Sequence, residues 1–189
     1  MKKVYDTINQ YCVEHELLTN GDGIVIGLSG GMDSVCLLQV LAALRNEWQL
    51  RLVCVHVHHG IRGTAADEDA AFAQRLAAKY NIPFRLYEMD IPQLAKEQGL
   101  SEEEAGRNCR YRCFEEVRKE LNFDKIAVAH HRDDQAETVL WQILRGSGLR
   151  GVCGMRAGRA NIIRPLLCLD RQQIEQIVRG NGDGWREDA

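Results

Sequence analysis

The chain of 189 residues lacks the cysteine and histidine spacings that mark common metal and disulfide sites. Its seven cysteines are scattered and none forms a CxxC pair, which argues against a disulfide framework and a zinc knuckle. No HExxH sequence is present. Cys109 and Cys113 fall on one helical row of apolar residues, so we expect them to be reduced and buried.

Long apolar runs are also missing. No stretch reaches the roughly 18 apolar residues that a membrane span needs, and the N-terminus meets charged or polar residues every few positions. We therefore expect a protein that is neither exported nor membrane-bound, and a cytoplasmic location. The length and the ordinary share of hydrophobic residues, 45%, predict a single domain over 1–189 with a core from about 20 to 180.

Acidic residues are absent from one part of the chain. The net charge of −3 argues against a protein that coats nucleic acid indiscriminately, but residues 138–169 contain no Asp or Glu. The arginines inside this segment are Arg145, Arg150, Arg156, Arg159 and Arg164. Such a distribution is expected where a phosphate backbone or a nucleotide docks, and a solvated basic loop is the alternative.

Residues 29–34 read SGGMDS, directly after the apolar run 24–28 and before a helical stretch at 35–44. Two adjacent glycines let the backbone approach an anion, and the following helix N-terminus offers free N–H groups and a partial positive charge. No Lys follows the glycines and no GxGxxG is present, so neither a Walker P-loop nor a dinucleotide fingerprint is indicated. A tight turn capped by Ser29 is the alternative. The carboxylate of Asp33 favours a phosphate site that includes Mg²⁺, because a cation must separate it from an anion.

Apolar periodicity alternates along the chain between helix and strand patterns. It predicts helices at about 4–12, 35–44, 67–80, 101–121 and from 134, and strands at 24–28, 50–57, 83–89 and 125–129. The last helix is expected to bury Ala136, Val139, Leu140 and Ile143. This alternation predicts an α/β fold, a parallel twisted sheet with helices on both faces.

Three polar clusters follow predicted strands: the loop at 29–34, the histidines at 56–59 and the segment 130–134. Because ligands of such sheets lie outside the carboxyl ends of the strands, we expect the clusters to share one crevice. His56 and His58 point to one side of their strand and His59 to the other, which is compatible with a metal pair or with contacts to phosphate or ribose.

Two predicted helices each carry a pair of charged residues that has either a structural or a functional role. Glu103 and Arg107, four residues apart, form either a surface ion pair or a site where the Arg stabilises a transferring phosphoryl group. Asp134 and Glu137 form either a capping box or a carboxylate pair that holds an ammonium group or Mg²⁺.

Taken together, these clusters resemble one enzyme family. SGGMDS is similar to the pyrophosphate-binding loop of the ATP pyrophosphatases. The further motifs, in the order found in the tRNA(Ile)-lysidine synthetases, are HVHHGIRG, SEEEAGRNCRY, AHHRDDQAET, RGSGLRG and IIRPLL. The resemblance spans about residues 20–188.

The resemblance implies a Rossmann-like fold of the PP-loop ATP pyrophosphatase type and an ATP-dependent ligase. In that family ATP adenylates the C2 oxygen of the wobble cytidine of tRNA(Ile) with a CAU anticodon, and pyrophosphate leaves. The ε-amine of free L-lysine then attacks C2, which forms lysidine and expels AMP. The implied cofactors are ATP and Mg²⁺.

Site residues are carried over position by position. The ATP-binding set is Ser29, Gly30, Gly31, Met32, Asp33, Ser34, His56 and His131. The resemblance makes Asp33 the Mg²⁺ ligand and a catalytic residue together with Arg107. From their charge and spacing we expect Asp134 and Glu137 to bind lysine, and we expect Arg62, Arg145 and Arg150 to contact tRNA.

One departure and two rival interpretations remain. The family continues past its Trp-x-Glu-Asp segment into domains that grip the tRNA, so we expect this chain to be a catalytic-domain fragment or a truncated form in which they are absent. A PP-loop tRNA thiolase shares the adenylation step but relies on cysteines, commonly in CxxC pairs. The other alternative is a nucleotide-binding module without catalysis.

Overall fold

The computed structural model describes residues 2–58, 64–146 and 153–186. Its helices are α1 (Lys2–Glu14), α2 (Met32–Leu44), α3 (Thr64–Lys79), α4 (Ile91–Gln98), α5 (Glu102–Glu120), α6 (Arg132–Leu144) and α7 (Arg171–Gly180), with a 3₁₀ helix at Pro165–Cys168. Its strands are β1 (Gly23–Gly27), β2 (Arg51–His58), β3 (Phe84–Glu88), β4 (Lys125–Ala127), β5 (Gly158–Arg159) and β6 (Ile162–Ile163). His59, Arg62 and Arg150 lie outside the described residues.

The strands form one six-stranded sheet in the order β3-β2-β1-β4-β6-β5. All neighbouring strands run parallel except β5 and β6, which pair antiparallel. The four predicted strands and their parallel arrangement are confirmed. The strands β5 and β6, two residues each, and the helices α4 and α7 were not predicted. An element of two residues is too short to show an apolar period.

Helices cover both faces of the sheet, as predicted. In the central strand β1, Ile24 and Ile26 belong to one hydrophobic core with residues of α1, α2, α3 and α7. Val25 points to the opposite face and belongs to a second core with residues of α4 and α5. Cys109 and Cys113 are buried in this second core, as expected. β1 is therefore buried on both sides, which is why it reads as a continuous apolar run.

The helix α6 differs from the prediction in start and in burial. It begins at Arg132 rather than near residue 134, and it buries none of its residues. The side chains of Leu140 and Ile143 are 58% and 55% exposed, Ala136 is exposed and Val139 is half-buried. The expected burial is wrong because α6 packs mainly against the 3₁₀ helix rather than against the sheet. Periodicity shows that a helix has an apolar face but not what covers it.

The cysteines give a first testable expectation. Burial raises the pKa of the Cys12 and Cys54 thiols to about 12, whereas Cys153 is exposed. Because the thiolate is the reactive form, iodoacetamide at mildly alkaline pH should label Cys153 in the native protein and reach Cys12 and Cys54 only after unfolding. Peptide mass spectrometry of native and denatured samples checks this. Equal labelling of Cys54 and Cys153 in the native sample would contradict the described core.

None of the helices in the described ranges is long and apolar enough to cross a membrane.

Candidate functional site: a cleft at the carboxyl ends of the central strands

A cleft of about 890 Å³ lies at the carboxyl ends of β1, β2 and β4. Its polar lining consists of Ser29, Asp33, Ser34, His56, His58, Asp69, Glu102, Glu103, Arg107, Arg110, Tyr111, His130 and Asp134. The three polar clusters that follow predicted strands therefore share one crevice, as expected. Parallel strands bring this about because their carboxyl ends meet at one edge of the sheet.

The loop between β1 and α2 is organised by two hydroxyl groups. The Ser34 hydroxyl donates to the Gly31 carbonyl at 2.9 Å and accepts from the Gly30 N–H at 3.1 Å. The Ser29 hydroxyl accepts from the Gly31 N–H at 3.3 Å. Gly31 is the N-cap of α2, and no side chain caps this helix. The first N–H groups of α2 therefore face the cleft as donors for an anion.

Two glycines of the loop region have a structural requirement. Gly30 has φ of +98°, a conformation that residues with a side chain rarely adopt. At Gly27, a Cβ atom would lie 2.7 Å from the ring of Phe114, so only glycine lets α5 pack this closely on β1. Gly30 thus lets the backbone of the loop turn sharply, and Gly27 lets α5 lie close to the strand that precedes the loop.

Asp33 is placed for a cation at this anion site. It lies in the first turn of α2, and its Oδ1 atom is buried and has no hydrogen-bond partner within residues 2–58, 64–146 and 153–186. Burial raises its pKa, the His131 ring and Arg171 act in the opposite direction, and Asp134 and Asp133 reinforce the rise. A buried carboxylate oxygen without a donor fits a metal ligand, because an ion can supply the positive charge that the protein does not.

His131 joins the two carboxylates rather than lining the cleft. Its Nε2 atom lies 3.6 Å from an oxygen of Asp33 and 3.6 Å from an oxygen of Asp134. Its Nδ1 atom accepts from the Asp133 N–H at 3.2 Å, and Asp134 accepts from the His131 N–H at 2.8 Å. This is a capping box of His131 and Asp134, not of Asp134 and Glu137. Because Nδ1 accepts, Nε2 carries a proton toward both carboxylates.

His56 is held at the end of β2 in a defined tautomer. Its Nδ1 atom lies 2.8 Å from the Leu28 carbonyl, which can only accept, so Nδ1 carries the proton. Burial lowers the pKa of His56, with the Leu28 hydrogen bond acting in the opposite direction. The neutral ring therefore presents Nε2 as an acceptor. Among the described residues no three His, Cys, Asp or Glu side chains converge as a metal site, which does not support the metal-pair interpretation of His56 and His58.

The opposite wall is built by α5. Ser101 caps this helix by accepting from the Glu104 N–H at 3.2 Å. Arg107 lies over the ring of Tyr111 with 5.8 Å between guanidinium carbon and ring centroid. Within the described part of the chain it forms no ion pair with Glu103. Arg107 is exposed to the cleft, where its charge is available to a ligand.

Two further side chains that line the cleft, Arg110 and His130, are not among the predicted site residues, and the buried Arg164 lies near His130. Arg110 follows Arg107 by one helical turn, so helical spacing alone would have placed both on one face. His130, not His131, lines the cleft, and burial together with Arg164 lowers its pKa to about 4. The neutral His130 ring keeps a buried Nδ1 atom without a partner among the described residues. The order of two adjacent histidines after a strand does not reveal which one faces the ligand.

The remaining predicted residues are distributed as follows. Met32 is buried, and Gly30 is not among the residues that line the cleft. Glu137 is exposed on α6, one turn beyond Asp134, outside the set of lining residues. Arg145 lies over the exposed Trp141 ring, 3.4 Å from guanidinium carbon to ring centroid. In the acid-free segment, Arg156 and Arg159 are exposed and Arg164 is buried.

Residues 2–189 match the protein family described as PP-loop domain. The chain belongs to this family. The match covers nearly the whole chain and includes the loop at 29–34.

Curated relatives are similar over almost the whole chain. The chain is 48% identical over 179 residues to the tRNA(Ile)-lysidine synthase of Caldanaerobacter subterraneus subsp. tengcongensis, which covers 95% of the chain and 38% of the relative. It is 40% identical over 187 residues to the enzyme of the same name from Geobacter sulfurreducens, covering 98% of the chain and 40% of the relative. The chain thus spans about two fifths of the length of the curated relatives it matches.

Solved structures share the fold at low sequence identity. The U34-tRNA thiolase NcsA from Methanococcus maripaludis superposes with a TM-score of 0.77 at 20% identity, covering 98% of this chain and 65% of that one. The NH₃-dependent NAD synthetase from Campylobacter jejuni superposes with a TM-score of 0.63 at 17% identity, covering 96% of this chain and 73% of that one. At these identities the likeness confirms the α/β fold alone.

Proposed function

We propose that this chain is the catalytic domain of a tRNA(Ile)-lysidine synthetase, a cytoplasmic ATP-dependent ligase that joins lysine to the wobble cytidine of tRNA(Ile). The observation that carries the proposal is the juxtaposition, in one cleft, of a helix N-terminus without a side-chain cap, a carboxylate with one buried oxygen that has no partner among the described residues, and the arginines Arg107 and Arg110. These features suit an anion, a divalent cation and a phosphoryl group that develops charge. The similarity to curated lysidine synthases supports the choice of substrates.

For ATP, the loop at 29–34 would hold the phosphates through the N–H groups of the first turn of α2, which no side chain caps among the described residues. Mg²⁺ fits at Asp33, whose Oδ1 atom is buried and unpartnered. When bound, the ion would neutralise phosphate charge and orient the pyrophosphate leaving group. Arg107 would stabilise charge on the phosphate that is attacked, and the Nε2 atom of neutral His56 would accept from a hydroxyl or amino group of the nucleotide.

For lysine, Asp134 and Glu137 supply negative charge on successive turns of α6. A primary ammonium group is a compact donor that carboxylates bind well. Asp134 already accepts from the His131 N–H with one oxygen, and it lines the cleft. Glu137 is exposed, one turn farther out, where it can contact a ligand that enters from solvent.

For tRNA, we propose that the outer end of α6 contacts the anticodon loop together with Arg145, Arg62 and Arg150. Trp141 and Leu144 are 55% and 76% exposed, and the segment that follows contains arginines but no acids. Asp134 and Trp141 are seven residues apart, so they lie on one helix face separated by about 10 Å. Exposed aromatic rings beside arginines are typical platforms for unpaired bases.

Replacing Trp141 with Ala should weaken binding of an unmodified tRNA(Ile) anticodon stem-loop about tenfold, because stacking of one base contributes roughly 1–3 kcal/mol. Fluorescence anisotropy measures the Kd, and calorimetry with ATP measures whether nucleotide binding is unchanged. Leu86→Ala, at another exposed apolar residue, is the matched control and should leave RNA binding unaffected. Equal RNA binding by Trp141→Ala and the parent protein would contradict the stacking surface.

The rival interpretations differ in chemistry. A thiolase needs cysteines at the reacting centre, yet no described cysteine lines the cleft and five of the seven are buried. A module without catalysis does not require the buried Oδ1 atom of Asp33, which has no partner among the described residues. The experiment that separates them measures pyrophosphate release from ATP with tRNA(Ile) and lysine, singly and together. The proposal predicts release that depends on tRNA. ATP binding without such release would favour the non-catalytic module.

A further inference from the structure

A segment near the end of the described chain, Asn181–Arg186, runs from α7 to the phosphate loop, and we refer to it as the strap. Asp183 anchors it through a side chain that is only 5% exposed. This carboxylate accepts hydrogen bonds from Gln39 at 2.7 Å, from Lys79 at 2.5 Å and from Tyr80 at 2.6 Å. The strap is therefore fixed to α2 and to the end of α3 by a buried carboxylate with three donors.

Asn181 completes this network. Its side-chain N–H group donates to Gln39 at 3.0 Å and to the Tyr5 hydroxyl at 2.9 Å. The amide of Gln39, which is almost fully buried, is thus satisfied at its nitrogen by Asp183 and at its oxygen by Asn181. None of these groups lines the cleft. Hydrogen bonds between the nearly buried Gln39 and Asp183 side chains fix the geometry of this network, because a shift would leave a buried polar group without its partner.

Arg186, at the other end of the strap, reaches the phosphate loop. Its backbone N–H donates to the Gly30 carbonyl at 2.9 Å. Its guanidinium donates to Asp69 at 2.7 Å and to Glu68 at 2.8 Å, both in α3. Asp69 lines the cleft. The side chain of Arg186 thereby holds its own backbone N–H in place against the loop.

The bond to the Gly30 carbonyl has a direct effect on the anion site. In a trans peptide the C=O of one residue and the N–H of the next point in opposite directions. A carbonyl of Gly30 held toward the strap therefore aims the N–H of Gly31 away from it, toward the Ser29 hydroxyl at 3.3 Å, and both Ser29 and Gly31 line the cleft. Because Gly30 and Gly31 have no side chains to restrict the peptide between them, its orientation depends on these two hydrogen bonds, from Arg186 to its carbonyl and from its N–H to Ser29.

We propose that Arg186 is a positioning residue for the ATP phosphates: through Gly30 it fixes the peptide that enters the N-terminus of α2, where the phosphates would bind, and through Asp69 it neutralises a carboxylate beside the same phosphates. This inference rests on the proposed function in so far as the anion is the triphosphate of ATP or its pyrophosphate product. Asp183 and Asn181 serve the same role indirectly, since they fix the other end of the strap.

The test measures binding of ATP and of inorganic pyrophosphate by calorimetry, and the KM for ATP and for lysine. Arg186→Ala should raise the Kd for both anions and the KM for ATP about tenfold, and leave the KM for lysine unchanged. Arg186→Lys keeps one ion pair and should recover much of the loss. The double variant Arg186→Ala/Asp69→Asn removes the carboxylate that Arg186 neutralises. Its Kd for both anions should therefore recover only by the part of the loss that the charge of Asp69 causes. Arg85→Ala, which breaks the half-exposed ion pair with Glu120, is the matched control.

The melting temperatures of the variants show whether a change in Kd comes from the position of the loop or from a less stable fold. Asp183→Asn, remote from the cleft, should also raise the Kd for pyrophosphate, by less than Arg186→Ala. If the parent protein binds pyrophosphate and Arg186→Ala binds it equally well, the positioning role is wrong. A rise in the KM for lysine equal to that for ATP would also overturn it, because general loosening affects both substrates. If the parent protein binds neither ATP nor pyrophosphate, the proposed function itself fails.

Discussion

Asp33→Asn should lower the rate of tRNA-dependent pyrophosphate release by at least about 10²- to 10³-fold. The same substitution should raise the melting temperature. The loss follows from the role proposed for Asp33 as the Mg²⁺ ligand. The gain in stability follows from its environment. Burial raises the pKa of Asp33, so the folded state binds its proton more tightly than the unfolded state does.

The sign of this effect on stability follows from that difference. At a pH above the folded-state pKa of Asp33, the ionised carboxylate lowers the free energy of unfolding by its full amount. This penalty disappears as the pH falls below the pKa of Asp33 in the unfolded state. Asn at this position carries no charge to desolvate. The stability advantage of Asp33→Asn should therefore be present at neutral pH and vanish in acid. Such an opposition between stability and activity is common where a functional group is held in an unfavourable environment.

Asp133→Asn is the matched control for Asp33→Asn. Asp133 lies in the first turn of α6, contributes to the same electrostatic field and does not line the cleft. It should retain most of the activity. Thermal melts at several pH values and a pyrophosphate release assay check both variants. An Asp33→Asn protein that stays active, or that loses stability at neutral pH, would contradict the role and the environment assigned to Asp33.

Glu137→Gln should raise the KM for lysine by about 10²-fold and change the KM for ATP little. A hydrogen bond to a charged group contributes roughly 1.5–3 kcal/mol, and Gln retains the size of the side chain without its charge. Glu137 is exposed and caps nothing, so its loss should not affect folding. Asp134→Asn would be less informative, because Asp134 also accepts from the His131 N–H in the capping box.

Glu120→Gln, at an exposed glutamate paired with Arg85, serves as the control for Glu137→Gln. Steady-state kinetics with lysine and ATP varied separately give both KM values. An unchanged KM for lysine together with lost pyrophosphate release would assign Glu137 to the adenylation step instead of to lysine.

The loop at 29–34 and the crevice could be predicted from the sequence because their chemistry is local. Two glycines, an acid and a helix start follow one another in the chain, and parallel strands place successive carboxyl ends side by side. The SGGMDS loop also predicts the PP-loop family, and the match over residues 2–189 confirms it.

The parts that could not be predicted depend on contacts between distant segments. The exposure of Leu140 and Ile143 is set by what packs on α6, which its own period does not reveal. The bond between Arg186 and Gly30 joins residues far apart in sequence. The placement of His130 in the cleft, with His131 as a cap, depends on the path of the chain after β4. Each of these outcomes is decided by tertiary packing.

The central claim is that this cleft joins lysine to the wobble cytidine of tRNA(Ile). The most direct measurement is the mass of the wobble nucleoside after the protein is incubated with ATP, Mg²⁺, lysine and a saturating amount of unmodified tRNA(Ile). We predict a nucleoside heavier than cytidine by lysine minus water, formed only when ATP and lysine are both present. Unchanged cytidine under conditions in which the protein binds both ATP and the tRNA, or a nucleoside that gains sulfur instead, would contradict the account.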